Sequence, residues 1–392
     1  MPNEHLAQIS NTLFNVAFLT YIAAMVCYFF RLAFTRVSAQ GVTSSTVAGA
    51  RIGRVATALA VGGWGVHLGS VVTRGLAAGG RVPWGNMYEY SSTSALLVVA
   101  VGLIVVQRRF GYGHLMGFVV AAAVLMMTSA LLLFAEAGPL VPALNSYWIK
   151  IHTAAAMGAS SIFIVGFAAT ALYLAKDTAE RRVAVSSAYS GSTVGAGALT
   201  AGTAGAATTD ADADRPQGYE ADDGDLEVRV SSPFSQRDAL SPVLFPVVPA
   251  VVVVLFTLLV WRAPTAALLA GGVAALLGTL SWYSIPYLPP AAKLDNLAYR
   301  TIAFAFPIWT FAIMAGAIWA EEAWGRYWGW DPKETGSFFT WVLYAAYLHA
   351  RSTYGWRGRK AAWIGVVAFA ALMVTYYAVN LFVVGLHSYA GT

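Results

Sequence analysis

The stretch richest in chemically capable side chains runs from Trp319 to Arg351, WAEEAWGRYWGWDPKETGSFFTWVLYAAYLHAR. Trp324, Tyr327, Trp328 and Trp330 crowd a short loop that also holds Gly325 and Gly329, so flat aromatic surface sits on a backbone able to bend closely round a ligand. A large planar ligand fits such a surface. An interfacial belt also uses aromatic rings, but belts are dispersed over many helix ends. Here four rings share one loop with Arg326, Lys333, Glu321, Glu322 and Asp331. The groups that could hold a metal-bearing ligand are six histidines, His5, His67, His114, His152, His349 and His387. Cys27 is the single cysteine, so neither a disulfide framework nor a CxxC redox motif can be built from this chain, and any thiol chemistry needs a partner.

The elements that must position these residues are membrane helices. With 58% hydrophobic and 11% charged residues, and the apolar ones in long blocks, the chain belongs in a lipid bilayer. The net charge of +5 is scattered over short loops as orientation signals, which excludes a nucleic-acid partner. Apolar runs long enough to span fall at about 12–34, 54–74, 92–108, 114–135, 150–175, 243–260, 265–284, 300–320, 333–351 and 361–385. That predicts an all-α, polytopic bundle of eight to ten transmembrane helices, the 243–284 pair being the short one around Trp261-Arg262-Ala263-Pro264. The N-terminal MPNEHLAQIS lacks a basic region, so the first run reads as a retained helix. Placing the loop near 321–332 outside puts 18 of the 24 Lys and Arg on the other side, and the positive-inside rule then sets both termini outside. Residues 176–241 are rich in Gly, Ala, Ser, Thr and Asp, with too few large apolar residues for a core. They read as a disordered cytoplasmic linker between N-terminal helices at 1–175 and C-terminal helices at 242–392.

One of those helices announces its own start. Asp331 stands as N-cap, Pro332 at the first helical position and Glu334 at the third as the returning arm of a capping box, so a membrane helix begins near Pro332 at the outer surface. The preceding WGRYWGWDPKET resembles the tryptophan-rich WWD signature of haem-handling membrane proteins, and PWGNMYEY at 83–90, AYLHAR and GLHSYA are similar to the same group. The chain is thereby identified as resembling the CcsA/ResC family of system II cytochrome c biogenesis. It departs from the signature at Gly336, where the family commonly has another Trp.

The resemblance implies haem b as the ligand. His152, early in the fifth run, and His387, just past Gly385, lie at the depth of the Trp-rich loop. The family assigns the histidines at these positions as the two axial iron ligands of an external haem. His349 lies 17 residues beyond Pro332, or roughly 26 Å along the helix, near the inner face. An imidazole there is a functional-site signal, and the resemblance implies a second, transmembrane haem site at it. For the missing ligand of that inner site, His67 is some 15 Å off in depth, His114 has suitable depth but no motif around it, and a ResB-like partner subunit is the preferred source. Asn86, Tyr88 and Glu89 are expected to line the haem edge or the substrate path, and Arg326, Lys333 and Arg81 are candidates for the haem propionates.

The expected function follows from the family. The chain would be the haem-binding subunit of a cytochrome c synthase in the plasma membrane, carrying haem to the outer face and presenting it for thioether attachment to the CxxCH segment of apocytochrome c. Thiol-reducing membrane proteins and lipid are the further implied partners. The sequence demands no catalytic acid or base, so a synthase subunit is expected in preference to a self-sufficient enzyme. A haem exporter without ligation activity and a cytochrome-b-like electron carrier are the rival readings. Covalent transfer of haem to a CxxCH peptide separates the first reading from both.

Overall fold

A computed structural model describes residues 3–37, 43–138, 144–199, 233–261 and 264–386. All ten predicted runs are helical in it. The order is α1 (Glu4–Leu32), a two-stranded antiparallel pair β1 (Thr35–Val37) and β2 (Thr43–Ser45), α2 (Val47–Ala77), α3 (Met87–Arg109) and α4 (Gly113–Leu132). There follow α5 (Tyr147–Leu199), a short α6 (Pro233–Asp238), α7 (Leu244–Trp261), α8 (Pro264–Ser284), α9 (Ala291–Trp324), α10 (Pro332–Ser352) and α11 (Arg359–Phe382). The protein is an all-α polytopic bundle.

Among the described residues eight helices are long and apolar enough to cross a membrane. The two remaining runs differ for separate reasons. The apolar part of α7, Leu244–Leu258, is shorter. It pairs with α8 as a hairpin, where Gly278 lets the backbone of Phe245 and Pro246 approach to 2.8 Å of the place a Cβ would take. Helix α10 has the length, but Lys333, Glu334, His349 and Arg351 at its two ends lower its hydropathy.

Two apolar cores hold the bundle. One gathers Phe14, Tyr21 and Tyr28 of α1 with Met116 and Met127 of α4 and Leu294 of α9. The other lies among α5, α9, α10 and α11, where Ala156 and Ala159 face Ala305 and Ala312, and Phe163 stacks on Tyr344 at 3.8 Å with ring planes 5° apart. Small residues let α5 and α9 run closely side by side, which is how helices associate where lipid supplies no hydrophobic drive.

The first part of the stretch expected as a linker, from residue 176, is helical. Helix α5 continues to Leu199, and its stretch beyond 176 is packed: Lys176 is buried with its ammonium 2.9 Å from the Ile285 carbonyl, and Asp177 pairs with Arg181 and Arg359. Charged residues after a long apolar run look like an exit into solvent, whereas here they bind the cation-rich end of the bundle together. Residues 200–232 of that predicted linker lie outside the described residues.

Candidate functional site

The aromatic loop is shaped by its two ends. Helix α9 stops at Gly325, whose left-handed φ of 69° lets its N–H reach back to the Glu321 carbonyl at 2.8 Å. Helix α10 starts with the expected capping box: Asp331 Oδ1 accepts from the Lys333 N–H at 3.2 Å and Glu334 Oε2 accepts from the Asp331 N–H at 3.1 Å. The same Glu334 oxygen takes the Gly329 N–H at 2.8 Å, while Oε1 lies 3.4 Å from Arg326. One buried carboxylate thus fixes three points of the loop. Trp330, held between those anchors, is the non-glycine residue with a left-handed φ (59°) among the described residues, an arrangement that persists only where its surroundings enforce it.

A second wall comes from residues 82–90. Asn86 caps α3, accepting the Glu89 N–H at 2.9 Å. Glu89 is buried and held by Arg74 at 3.1 Å, by Arg81 at 2.7 and 3.0 Å and by the Gly85 N–H at 2.9 Å. This anchors the strap Trp84–Met87 over the end of the bundle.

The third wall carries His152, in the second turn of α5. Its Nδ1 lies 2.7 Å from the Ala312 carbonyl of α9, and the ring fits because residue 316 is glycine: a Cβ there would sit 2.7 Å from Nδ1 and 2.8 Å from Cε1. The carbonyl can only accept, so Nδ1 carries the proton and the Nε2 lone pair is left for a ligand.

The fourth wall is the end of α11, where a π-helical turn over Val374–Val379 brings Tyr376 beside Tyr90, ring centroids 5.1 Å apart, with the Tyr376 hydroxyl on Ser91. π-Turns inside α-helices recur at functional sites. Asn380 donates to the Tyr376 carbonyl at 2.6 Å, and its buried Oδ1 has no partner among the described residues.

Together these walls enclose a cavity of about 240 Å³ lined by Trp84, Asn86, Tyr90, Lys150, His152, Trp309, Tyr327, Trp328, Lys333, Tyr376 and Asn380. Three segments read from the sequence as functional, 83–90, the start of α5 and 327–334, therefore meet in one place. A mostly apolar cavity walled by rings, with one imidazole nitrogen and two ammonium groups, suits a flat anionic ligand bearing an electrophilic centre.

The other candidates occupy distinct positions. Trp324 lies against the buried Trp319, ring centroids 4.8 Å apart, with Arg326 over its outer face. Trp330 is 64% exposed and stands edge-on to Trp328 and Phe338, outside the cavity wall. Asp331 is buried in the cap. Glu89, expected along the cavity edge, does not line it, because both oxygens are engaged by the two arginines. That same engagement removes Arg81 from the cations that face the cavity. Gly336, where the signature commonly has Trp, gives room to α11: a Cβ would come within 2.6 Å of Thr375 Oγ1.

His349 is exposed in the last turn of α10, its Nδ1 3.3 Å from Thr353 Oγ1, and Arg351 turns away from it to pair with Asp295 at 2.6 and 2.9 Å. His67 is wholly buried on α2 with Nε2 3.0 Å from Ser92 Oγ, and His114, at the start of α4, has a buried Nε2 with no partner among the described residues. His387 lies outside the described residues.

Lys150, Trp309, Tyr376 and Asn380 were missed by the sequence reading. Lys150 had a usable signal, a lone cation at the start of an apolar span. The other three are ordinary residues of a membrane helix until the fold turns them inward.

Residues 84–387 match the family model described as cytochrome C assembly protein. The chain is 32% identical over 391 residues to the cytochrome c biogenesis protein CcsA of Gloeothece citriformis, covering 98% of each chain. It is 30% identical over 394 residues to that of Synechococcus elongatus, again 98% of each. A shorter stretch of 124 residues, 31% of this chain and 37% of the relative, is 50% identical to CcsA of Synechocystis. A match spanning all four walls of the cavity, with near-complete coverage at this identity, shows that the chain belongs to the cytochrome c assembly protein family.

Proposed function

We propose that this protein acts in cytochrome c biogenesis as the haem-binding subunit of a synthase, holding haem b in the cavity for attachment to apocytochrome c. The observation that carries the reading is His152: its ring lines an aromatic cavity, and with Nδ1 committed to Ala312 the Nε2 lone pair is left for a ligand. An oriented neutral imidazole is what a haem iron takes as axial ligand, the backbone carbonyl acting as the outer partner that sets tautomer and ring orientation. Trp328, Tyr327 and Trp84 supply stacking surface for the macrocycle, and Lys150 and Lys333 supply the cations for its two propionates. His387 is the second axial ligand, by resemblance to the family.

Haem contributes two vinyl groups, to which the two thiols of a CxxCH segment add as thioethers. The chain's own residues bind, orient and exclude water, and a CxxCH histidine can displace one of the two imidazoles so that release follows ligand exchange. Cys27 is the single thiol of the chain and sits among the apolar residues of α1, so the thiols come from the acceptor, kept reduced by separate membrane proteins. By the positive-inside rule, the 18 of 24 basic residues in segments read as lying on the other side support a cavity at the outer face of the plasma membrane. His349 is exposed at the inner end of α10, where a ResB-like subunit can complete a transmembrane haem site.

The test is covalent transfer of haem from purified protein, alone and with its partner subunit, to a CxxCH peptide, followed by the pyridine-haemochrome spectrum of the product. Transfer that falls to background in His152→Ala and His387→Ala, with partial return on adding imidazole, supports the reading. Haem binding and transfer unaffected in both variants refutes it.

A further inference from the structure

We infer that Asp331 is a positioning residue that clamps the end of α11 to the aromatic loop and so places the segment entering His387. The inference rests on the proposed role of His387 as an axial ligand. Its physical basis lies in residues 331–334 and 383–386.

A helix cap needs one carboxylate oxygen, and Asp331 uses Oδ1 for it. Oδ2 does something capping does not require: it accepts the N–H of Leu386 at 2.7 Å. That N–H lies beyond the end of α11. The last helical bond there runs from the Val383 N–H to the Val379 carbonyl at 3.2 Å, and Val383 itself is extended (φ −110°, ψ 113°). With no helical carbonyl available to it, the Leu386 N–H takes a charged acceptor from the loop.

The approach is close enough to demand glycine at the preceding position. A Cβ on Gly385 would lie 2.6 Å from Asp331 Oδ2 and 3.1 Å from Pro332 Cδ. Glu334 meanwhile fixes Gly329 and the Asp331 backbone. The chain of contacts therefore runs from the loop bearing Trp328, through Asp331, to the residue immediately before His387. Stacking surface and the entry to the second ligand are held as one unit.

Three variants separate clamp from cap. Asp331→Ser keeps a good N-cap but its hydroxyl is one atom shorter and cannot serve both N–H groups. Gly385→Ala leaves the cap whole and drives a methyl group into Oδ2. Asp331→Asn keeps one amide oxygen for the cap and turns an NH2 donor onto the Leu386 N–H, so it also keeps the cap and loses the clamp. Each is purified at checked membrane levels, with His387→Ala as reference, and read by the absorbance spectrum of bound haem with and without added imidazole.

The expected result is that Asp331→Ser and Gly385→Ala reproduce the His387→Ala spectrum in part, shifting from low spin towards high spin. Retained haem should fall about tenfold, the scale of one lost charge-assisted bond. Imidazole should restore the low-spin spectrum, which it would not do for a merely misfolded loop, and Asp331→Asn should follow Asp331→Ser. Wild-type spectra in Gly385→Ala overturn the clamp even if Asp331→Ser is affected, because the effect would then belong to the cap. If His387→Ala itself is unchanged, it is the ligand assignment that fails.

Discussion

Gly316→Ala tests the site with a single methyl group placed against the His152 ring from the face of α9 that lines the cavity. In the structure that carbon would lie 2.7 Å from His152 Nδ1 and 2.8 Å from Cε1, whereas carbon and nitrogen atoms rest at about 3.5–4.0 Å. The imidazole must retreat by roughly 0.7–1 Å, and in doing so it loses the 2.7 Å contact with Ala312. The net loss of that bond is worth about 0.5–1.5 kcal/mol, and overpacking adds about 1–3 kcal/mol where neighbours cannot yield. If on the order of 2 kcal/mol of this falls on the bound state, haem affinity drops about 30-fold. The assay is haem titration of apoprotein in detergent by absorbance, with pyridine-haemochrome quantification of what is retained on purification. Gly158→Ala on α5 is the control, since a Cβ there meets nothing within 4 Å. Affinity of Gly316→Ala within twofold of that control would mean His152 does not hold haem, or does so from a position the structure does not show.

His349→Ala should lower haem loading while the haem that reaches the outer cavity keeps a normal low-spin spectrum, and full occupancy with normal cytochrome c yield would remove the inner site. Lys150→Gln combined with Lys333→Gln should weaken haem about tenfold or more yet leave binding of haem dimethyl ester unchanged, because the ester has no charge to pair; equal losses for both ligands would count against carboxylate recognition. Glu89→Gln should destabilise the protein by about 3 kcal/mol by leaving two poorly solvated arginines without their countercharge, read as thermal unfolding in detergent; a stable variant lacking haem would instead place Glu89 in the site. Deleting residues 202–230 should leave haem content and cytochrome c maturation intact, since loop-closure entropy changes slowly with length, and lost maturation at normal membrane levels would reveal a docking element there.

What the sequence made legible were features with local grammar. Asp331, Pro332 and Glu334 spell a capping box in four residues, and the box is present with the expected bonds. Apolar runs of spanning length became helices because every backbone group in lipid must be satisfied within the helix. The unread features are those decided between elements. Nothing in WIKIH tells that the His152 ring leans on a carbonyl 160 residues away, since that contact depends on a glycine in α9. Glu89 looked like a site residue because it sits in a motif beside Asn86 and Tyr88, but Arg74 comes from the preceding helix and takes up its charge. The extent of α5 was misjudged for a related reason, as Lys176 meets the Ile285 carbonyl just after α8, and Asp177 meets Arg359 of α11, only when those elements are in place.

The distribution of charge round the cavity bears on what it can hold. Glu89, Asp331 and Glu334 are buried at this end of the bundle and Glu321 and Glu322 are exposed there, and a dianionic ligand would be repelled by such acids if they faced it uncompensated. Each buried acid is instead turned onto donors of the protein: Glu89 onto two arginines and the Gly85 N–H, Glu334 onto two backbone N–H groups and Arg326, Asp331 onto the N–H groups of Lys333 and Leu386. Glu322, at the surface, meets Ser146 Oγ at 2.5 Å. These acids therefore build the walls, tying loop to helix and helix to helix, and contribute little field to the interior. Lys150 and Lys333 are the cations that line the cavity, beside Glu334, whose carboxylate is taken up by two backbone N–H groups and Arg326, and in a wall that is otherwise mostly apolar the charge of the two lysines is weakly screened. Under the proposed function that asymmetry suits a flat ligand carrying two carboxylates, with the acids serving as structure and the lysines as recognition.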